Sequence, residues 1–86
     1  MRVEQFTNNN NKPVKNQFII YDEKSIIFQS YFSIIAIKRN GKIALDADKW
    51  NYSKITSKYR NQFLNETTKE TKEKIKSGVY TLENLN

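Results

Sequence analysis

Cysteine and histidine are both absent from this chain of 86 residues. Without cysteine there is no disulfide bond and no thiolate zinc site, and without histidine the commonest general base and metal ligand is missing. Stability must come from packing or from oligomerisation. A general base near neutral pH would have to be a carboxylate, lysine or tyrosine with a strongly shifted pKa, in a domain with little core to spare for a pocket. We therefore expect no enzyme and no cofactor.

Glycine is also scarce, and long apolar runs are absent. The two glycines, Gly41 and Gly78, cannot form a glycine-rich phosphate-binding loop. No segment approaches the ~20 apolar residues that a membrane span needs, and the first residues lack the apolar run of a secretory signal. We therefore expect a cytoplasmic location.

What the chain does contain is enough apolar surface for one small folded domain. Apolar residues make up 37% and aromatic residues 13% of the composition, which is above the range typical of disorder. Runs of β-branched and aromatic residues at 18–21 and 26–28 flank turn chemistry at 22–25, which predicts a β-hairpin. The runs 34–37 and 43–45 flank Asn40-Gly41 and predict a second one. The segment 29–33 between the hairpins interrupts the pattern, and we expect a bend or a bulge there that lets one long strand serve both hairpins.

The register of the second hairpin depends on its turn. A two-residue Asn40-Gly41 loop would pair Lys38 with Ile43 and so mix charged and apolar residues on one face. A three-residue loop, with Gly41 as the left-handed residue of a bulge, avoids this mixing. We therefore expect the bulged turn.

Capping residues mark two helices in the second half of the chain. Ser53 is a suitable N-cap for a helix over 54–64, and Thr67 with Glu70 has the spacing of a capping box for a second helix that ends near Gly78. The second helix has only Ile75 as a large apolar residue between positions 68 and 77. We expect it to be weak, and either solvated or partly frayed unless a partner covers it. The last residues, 79–82, are either a short strand or a segment that packs back.

These elements predict an α+β fold, an antiparallel β-meander of three or four strands from about 14 to 45 packed on one helix, with a weak second C-terminal helix. The organisation that we expect is an N-terminal segment or edge strand at 1–13, a core of sheet and helix at 14–65, and a solvated helix and tail at 66–86. The predicted shared core consists of Ile35, Ile37, Ile43, Leu45, Ile55, Tyr59 and Phe63.

The first helix is predicted to be basic on one side. At 100° per residue, Tyr52, Ile55, Tyr59 and Phe63 fall on one face, and Lys54, Lys58 and Asn61 fall on another. Residues 49–76 hold eight Lys or Arg against three Glu, which is +5 of the total net charge of +6. Such a surface is either a solvated helix face or a binding surface for phosphate backbones or an acidic protein. The candidate contact residues are Lys49, Lys54, Lys58, Arg60 and Asn61, with Tyr31 or Tyr52 as stacking partners.

Two other groups of residues are possible sites. Asp46 and Asp48 form an Asp-x-Asp pair that could bind a divalent ion, but further acidic ligands are missing, and acids are common where a strand ends. We predict no metal site there. Among Phe28, Tyr31 and Phe32, strand alternation places Tyr31 opposite the other two, so that one of these aromatics is a candidate exposed contact point.

Several segments between residues 14 and 65 carry a family resemblance. They include Ser30-Tyr31, Ile35-Ala36, the turn at Gly41, Trp50 to Ser53, Thr56, Lys58 to Asn61, and Phe63-Leu64. In this order they resemble a group of small uncharacterised phage and prophage proteins of low-GC bacteria, although this chain has Ile55-Thr56 where a double threonine is commoner. The resemblance implies a phage-type accessory protein and no particular chemistry.

Three functions remain as expectations. The first is a small non-catalytic phage-type protein that binds, and inhibits, a host protein or protein–nucleic-acid complex such as a defence or nucleic-acid-handling complex. The alternative is direct, largely sequence-nonspecific nucleic-acid binding through the basic helix face. The third, a metal-dependent enzyme, would need a metal at Asp46 and Asp48. A homodimer is left open.

Overall fold

The computed structural model describes the whole chain, residues 1 to 86, as one sheet with two helices. The elements, in chain order, are β1 (Arg2–Thr7), β2 (Pro13–Tyr21), β3 (Ser25–Ser30), β4 (Ser33–Arg39), β5 (Lys42–Asp46), α1 (Lys54–Leu64), α2 (Thr68–Lys76) and β6 (Tyr80–Glu83).

The sheet has six strands in sequence order, β1-β2-β3-β4-β5-β6. The first four neighbouring pairs are antiparallel, and β5 and β6 are parallel, with α1 and α2 forming the crossover between them. The α+β class is confirmed, and 14–45 does contain a four-stranded meander. The sheet is wider than predicted because both ends of the chain add an edge strand. Neither helix is long and apolar enough to cross a membrane.

The turn of the second hairpin differs from the prediction. Arg39 pairs with Lys42, which leaves Asn40 and Gly41 as a two-residue loop with φ of 55° and 73°. Two consecutive positive φ angles are typical of a type I′ turn. The predicted bulged turn is therefore wrong. The prediction rested on the idea that a charged residue opposite Ile43 is unfavourable on an apolar face. Lys38 does lie opposite Ile43, but it has a partner on the helix side of the sheet.

That partner is the end of α1. The Lys38 Nζ donates a hydrogen bond of 2.7 Å to the carbonyl oxygen of Phe63 and lies 4.4 Å from the centre of the Phe63 ring. A cation there meets one of the carbonyl groups that a helix leaves free in its last turn. Burial lowers the pKa of Lys38, and the nearby Glu66 carboxylate opposes this shift.

The prediction that one long strand passes through 29–33 with a bend or a bulge is wrong, because the segment contains a tight turn, and the bulge follows it in β4. Ser30 pairs with Ser33 around a Tyr31-Phe32 loop, so the chain reverses there. Further along, Phe28 pairs with Ala36 and Gln29 pairs with Ile34, which leaves Ile35 as an extra residue. The bulge lets Ile35 lie fully buried in the core while Ile34 stays on the opposite face of the sheet.

The core lies between the sheet and α1. Its nine buried members are Phe6, Phe28, Ile35, Ala36, Leu45, Tyr59, Phe63, Leu64 and Tyr80. Of the predicted core, Ile35, Leu45, Tyr59 and Phe63 are confirmed, and Ile43 packs against the cluster while partly buried. Ile37 lies on the far face of the sheet, and Ile55 is 49% exposed. Placing these two in the shared core was wrong.

The helix α1 is rotated relative to the predicted orientation. Its buried residues are Thr56, Tyr59, Arg60, Phe63 and Leu64. Thr56 shares a buried hydrogen bond of 2.9 Å with the hydroxyl of Ser30, which turns the Thr56 side of the helix toward the sheet. Ile55, the residue before Thr56, is rotated by about 100° around the helix axis and points away from the sheet. Hydrogen bonds of Thr56 and Arg60, rather than hydrophobicity alone, therefore select the buried face.

The C-terminal segment belongs to the same fold as the rest of the chain. The capping box of Thr67 and Glu70 begins α2, as predicted, and most of α2 is exposed. However, Thr71 is fully buried, and Tyr80 of β6 is a core residue. At the other end, Phe6 of β1 also joins the core. The expected division into a 14–65 core with peripheral ends is replaced by one unit that includes both ends.

Candidate functional site

One end of the molecule gathers exposed aromatic and basic side chains where the β3–β4 turn meets the start of α1. We call this the tip surface. It consists of Tyr31, Phe32, Lys49, Tyr52, Lys54 and Ile55. Two contacts hold the turn and the helix together: the Ser30–Thr56 hydrogen bond and a 2.8 Å hydrogen bond from Lys49 Nζ to the hydroxyl of Ser33.

The turn itself presents two adjacent aromatic residues to solvent. Phe32 is 97% exposed and Tyr31 is 39% exposed. Tyr31 also has a φ of 56°, in the left-handed region that glycine or asparagine usually occupies. Its backbone N–H donates a 2.7 Å hydrogen bond to the carbonyl oxygen of Asn16, which holds this conformation. The protein thus keeps a large aromatic residue at a position where a small residue would be less strained.

The α1 side of the tip surface adds further apolar and basic groups. Tyr52 is 47% exposed, and Lys49 Nζ lies 5.9 Å from the centre of its ring. The N-cap Ser53 accepts a hydrogen bond from the backbone of Thr56, and no acidic residue is present in the first turn of α1. Lys54 and Ile55 in that turn are exposed. The positive end of the helix dipole is therefore not neutralised by an acidic side chain of its own first turn.

Two of the predicted contact residues, Arg60 and Asn61, form hydrogen bonds with other groups of the protein. Arg60 is fully buried and its centre lies 5.1 Å from the Trp50 ring. Its guanidinium donates to the Trp50 carbonyl at 2.6 Å, to Asn51 at 3.0 Å and to Asn61 at 2.9 Å. Thr68 accepts another of its hydrogen bonds. Arg60 and Asn61 therefore join α1 to the loop before it and to the start of α2, and Arg60 is not part of an exposed basic face.

The other predicted residues remain accessible. Lys54 and Lys58 are exposed on α1, Lys49 is half-buried, and Tyr31 lies on the turn. The structure brings Lys49, Lys54 and Tyr31 to the same end of the molecule, whereas Lys58 lies one turn further along the helix beside the ring of Tyr59. Tyr52, the alternative stacking partner, is exposed as well, whereas the exposed Phe32 and Ile55 are not among the predicted contact residues. Strand alternation among Phe28, Tyr31 and Phe32 is the one sequence feature that indicates an exposed aromatic in this segment.

The Asp46 carboxylate has a structural role in this fold. Asp46 is buried, and its two oxygens accept hydrogen bonds from the backbone N–H groups of Lys49 at 3.0 Å and Leu85 at 2.9 Å. It thus anchors the chain after β5 and the chain after β6 to each other. Asp48 is exposed and does not share these contacts. No group of three or more acidic, histidine or cysteine side chains is assembled.

A second carboxylate, Glu66, holds the C-terminal half together. Its side chain is 3% exposed and accepts hydrogen bonds from Lys74 Nζ at 2.7 Å and from the Tyr80 hydroxyl at 2.6 Å, as well as from the Thr71 hydroxyl. Burial by itself raises the pKa of Glu66, but the hydrogen bonds from Lys74, Thr71 and Tyr80 outweigh it and hold the pKa below its ordinary value. This cluster fixes α2 to β6 and so replaces the apolar face that α2 lacks.

The recesses of the surface lie elsewhere. There are two, of about 490 and 480 Å³, and both border Asn40. Asn40 is at the opposite end of β4 from the Tyr31-Phe32 turn. The tip surface therefore protrudes and has no cavity, which suits contact with a macromolecule better than enclosure of a small ligand.

The comparisons with known proteins give a family without an assigned activity. No curated protein and no solved structure matches the chain. A family model, described as a family of unknown function, matches residues 1–78, which run from the start of the chain to the end of α2 and stop before β6. The protein therefore belongs to the family of unknown function DUF8033.

Proposed function

We propose that this protein is a small non-catalytic binding protein that uses the tip surface to engage a host macromolecule. The observation that carries the proposal is the Tyr31-Phe32 turn, which combines an almost fully exposed phenylalanine with a tyrosine at positive φ. Backbone strain of this kind, about 1–3 kcal/mol per residue, is concentrated at functional sites. A turn built only to reverse the chain would be less strained with glycine in place of Tyr31, since Tyr31 has a positive φ and Phe32 does not.

Burial of Phe32 against a partner would supply a useful share of the binding energy. Covering a fully exposed phenylalanine contributes about 1.5–3 kcal/mol, and aromatic anchors surrounded by weaker contacts are typical of binding hot spots. Tyr52 and Ile55 extend the apolar area, and Lys49 and Lys54 border it with positive charge. A partner surface with an apolar pocket and an acidic rim fits this arrangement.

The resemblance to phage and prophage proteins supports a host partner. On that basis we propose that the protein acts in the host cytoplasm as an inhibitor of a defence or nucleic-acid-handling complex. A small domain can inhibit such a complex by occupying the surface that the complex needs, and this requires no chemistry of its own.

The experiment is affinity capture from the lysate of a low-GC bacterial host at physiological salt, with and without nuclease treatment. We expect a defined protein partner to be retained by the parent chain and lost with Phe32→Ser. The matched control is Val79→Ser, because Val79 is 63% exposed but lies in the segment before β6. Recovery of bulk nucleic acid alone, or equal capture by Phe32→Ser and the parent, would contradict the proposal.

Direct nucleic-acid binding is the second candidate, and the tip surface favours it in one respect. Exposed aromatic rings beside lysines are the combination that stacks bases and contacts phosphates in single-stranded nucleic acids. This candidate predicts an affinity that falls steeply with salt and that weakens in the Lys54→Glu, Lys58→Glu double variant. Filter binding to single- and double-stranded DNA and RNA across a salt series tests it, and absence of binding at low salt rejects it.

A further inference from the structure

The face of the sheet turned away from the helices carries apolar residues that nothing in the chain covers. The strand register aligns one residue from each strand in a continuous row across this face: Val3, Ile20, Ile27, Ile37, Ala44 and Thr81. A second row beside it includes Phe18 and Ile34, with glutamines between and before them. The first row, and the second row across β1 to β4, contain no charged residue, whereas the same face carries Arg39, Lys42, Asp46 and Glu83 at the end of β4 and on β5 and β6.

The orientation of these rows follows from the core. Phe28, Ala36 and Leu45 pair across β3, β4 and β5 and face the helices as core residues. Neighbouring positions along a strand point to opposite faces, so that Ile27, Ile37 and Ala44 face away. The isoleucines of the row are only partly buried and do not pack against the core cluster. This face is called the open face below.

The size of the open face suits a small dimer. Six strands at a spacing of about 4.8 Å, with about six residues each at 3.3 Å, give roughly 570 Å². Two such faces in contact would bury roughly 1,150 Å², which is close to the lower limit of a specific interface. The accessible surface of the chain is 5883 Å², against roughly 5,300 Å² for a monomer of 10.2 kDa. The chain therefore exposes somewhat more surface than an average monomer of its mass.

The charge distribution favours a second copy over other occupants. Each chain has a net charge of +6, so that two copies repel one another wherever their lysines meet. The open face limits this repulsion, because its rows are uncharged across β1 to β4 and the charged residues beyond them, Arg39, Lys42, Asp46 and Glu83, include two of each sign. Arg39 lies 3.9 Å from Glu83. A nucleic acid would need lysine or arginine side chains in the rows to contact its phosphates, and the two rows contain none. A second copy, in contrast, presents the same apolar rows.

We propose that the open face is the interface of a two-fold symmetric homodimer, in which the sheets of two copies pack face to face. Aligned packing of two sheets about 10 Å apart interdigitates such rows as the core of a sandwich. The helices and the tip surface of each copy then remain outside the interface, so the dimer presents two tip surfaces.

The test is the molar mass of the parent chain by light scattering or sedimentation over a range of concentrations. We expect a dimer of twice 10.2 kDa that dissociates on dilution. Ile27→Lys, at the centre of the row, should weaken the dimer at least ten-fold, whereas Ile55→Lys should not, because Ile55 is exposed on α1 at the other side of the sheet. Circular dichroism checks that both variants fold.

Two results would overturn the dimer. One is a parent chain that stays monomeric at hundreds of micromolar, and this result decides the question even if Ile27→Lys does not fold. The other is a parent dimer that dissociates with Ile55→Lys but not with Ile27→Lys or Ile37→Lys, which would place the interface on the helix side. Both readouts are independent of whether the tip surface binds a host macromolecule.

Discussion

Replacing Glu66 by glutamine tests whether a polar cluster, rather than an apolar face, holds α2 on the sheet. The carboxylate is 3% exposed and accepts hydrogen bonds from Lys74, Tyr80 and Thr71. Glutamine keeps one acceptor oxygen but has a donor NH₂ in place of the second, and it loses the charge. Hydrogen bonds to charged groups contribute about 1.5–3 kcal/mol each, and a smaller desolvation cost for the neutral amide offsets part of the loss. We expect Glu66→Gln to lower the free energy of unfolding by about 2 kcal/mol at pH 7.

The pH dependence of the free energy of unfolding is a more specific test of the role of Glu66. Because the pKa of Glu66 is lower in the folded protein than its ordinary value of 4.5, the folded state favours the carboxylate form. Its contribution to stability is therefore fully present above about pH 4.5 and is lost as the pH falls through the folded-state pKa. The parent chain should lose more stability than Glu66→Gln between pH 7 and about pH 3, so that the difference between them narrows.

The assay is urea denaturation at several pH values, followed by far-ultraviolet circular dichroism and by the fluorescence of the single tryptophan. Glu73→Gln is the matched control, since Glu73 is an exposed glutamate on α2 and forms no salt bridge. The reasoning is refuted if Glu66→Gln is as stable as the parent at pH 7. It is also refuted if the two chains lose stability in parallel down to pH 3.

Three further changes in stability can be measured by the same denaturation assay. Phe63→Ala should cost about 3–5 kcal/mol, because the ring is buried against Phe28, whereas the exposed Lys58→Ala should change stability by less than ~0.5 kcal/mol; equal melting of the two variants would show that α1 does not pack as described. Gln17→Leu should stabilise the protein by about 1 kcal/mol or more, because both polar atoms of the buried Gln17 amide lack a hydrogen-bond partner; a loss of stability would indicate that the amide is satisfied. Gly41→Ala should cost about 1 kcal/mol through its positive φ alone, since a Cβ there meets no atom within 4 Å; a loss of several kcal/mol would contradict the open surroundings of the turn.

Local signals were sufficient for the elements whose ends are set by neighbouring residues. Ser53 accepts the backbone hydrogen bond expected of an N-cap, and Thr67 and Glu70 form both halves of the capping box. Runs of strand-forming residues also predicted the two hairpins between residues 14 and 45, although they left open whether the meander has three or four strands and whether the first residues form an edge strand. Each of these features depends on contacts within a few positions, so that a single sequence is enough to predict them.

The errors all concern contacts between distant positions. The buried side of α1 depends on Ser30, which lies 26 residues from its partner Thr56. Lys38 is tolerated on the inner face because the end of α1 supplies a carbonyl 25 residues away. Arginine is common in binding sites, but Arg60 lies in the interior, where it donates hydrogen bonds to backbone and side-chain oxygens. Spacing on a helix cannot reveal such partners.

Composition and local patterns are enough to predict one small α+β domain with two capped helices, without the residues of a thiolate metal site or a histidine-based active site, and with a surplus of positive charge. Those properties are sums over the composition or depend on adjacent residues. Which charged and aromatic side chains reach the surface depends instead on how the elements pack. This exposure depends on how α1 and the β3–β4 turn pack together, and their packing leaves Phe32 exposed and Arg60 buried. The candidate binding surface and the open face therefore result from packing between elements, which no local pattern encodes.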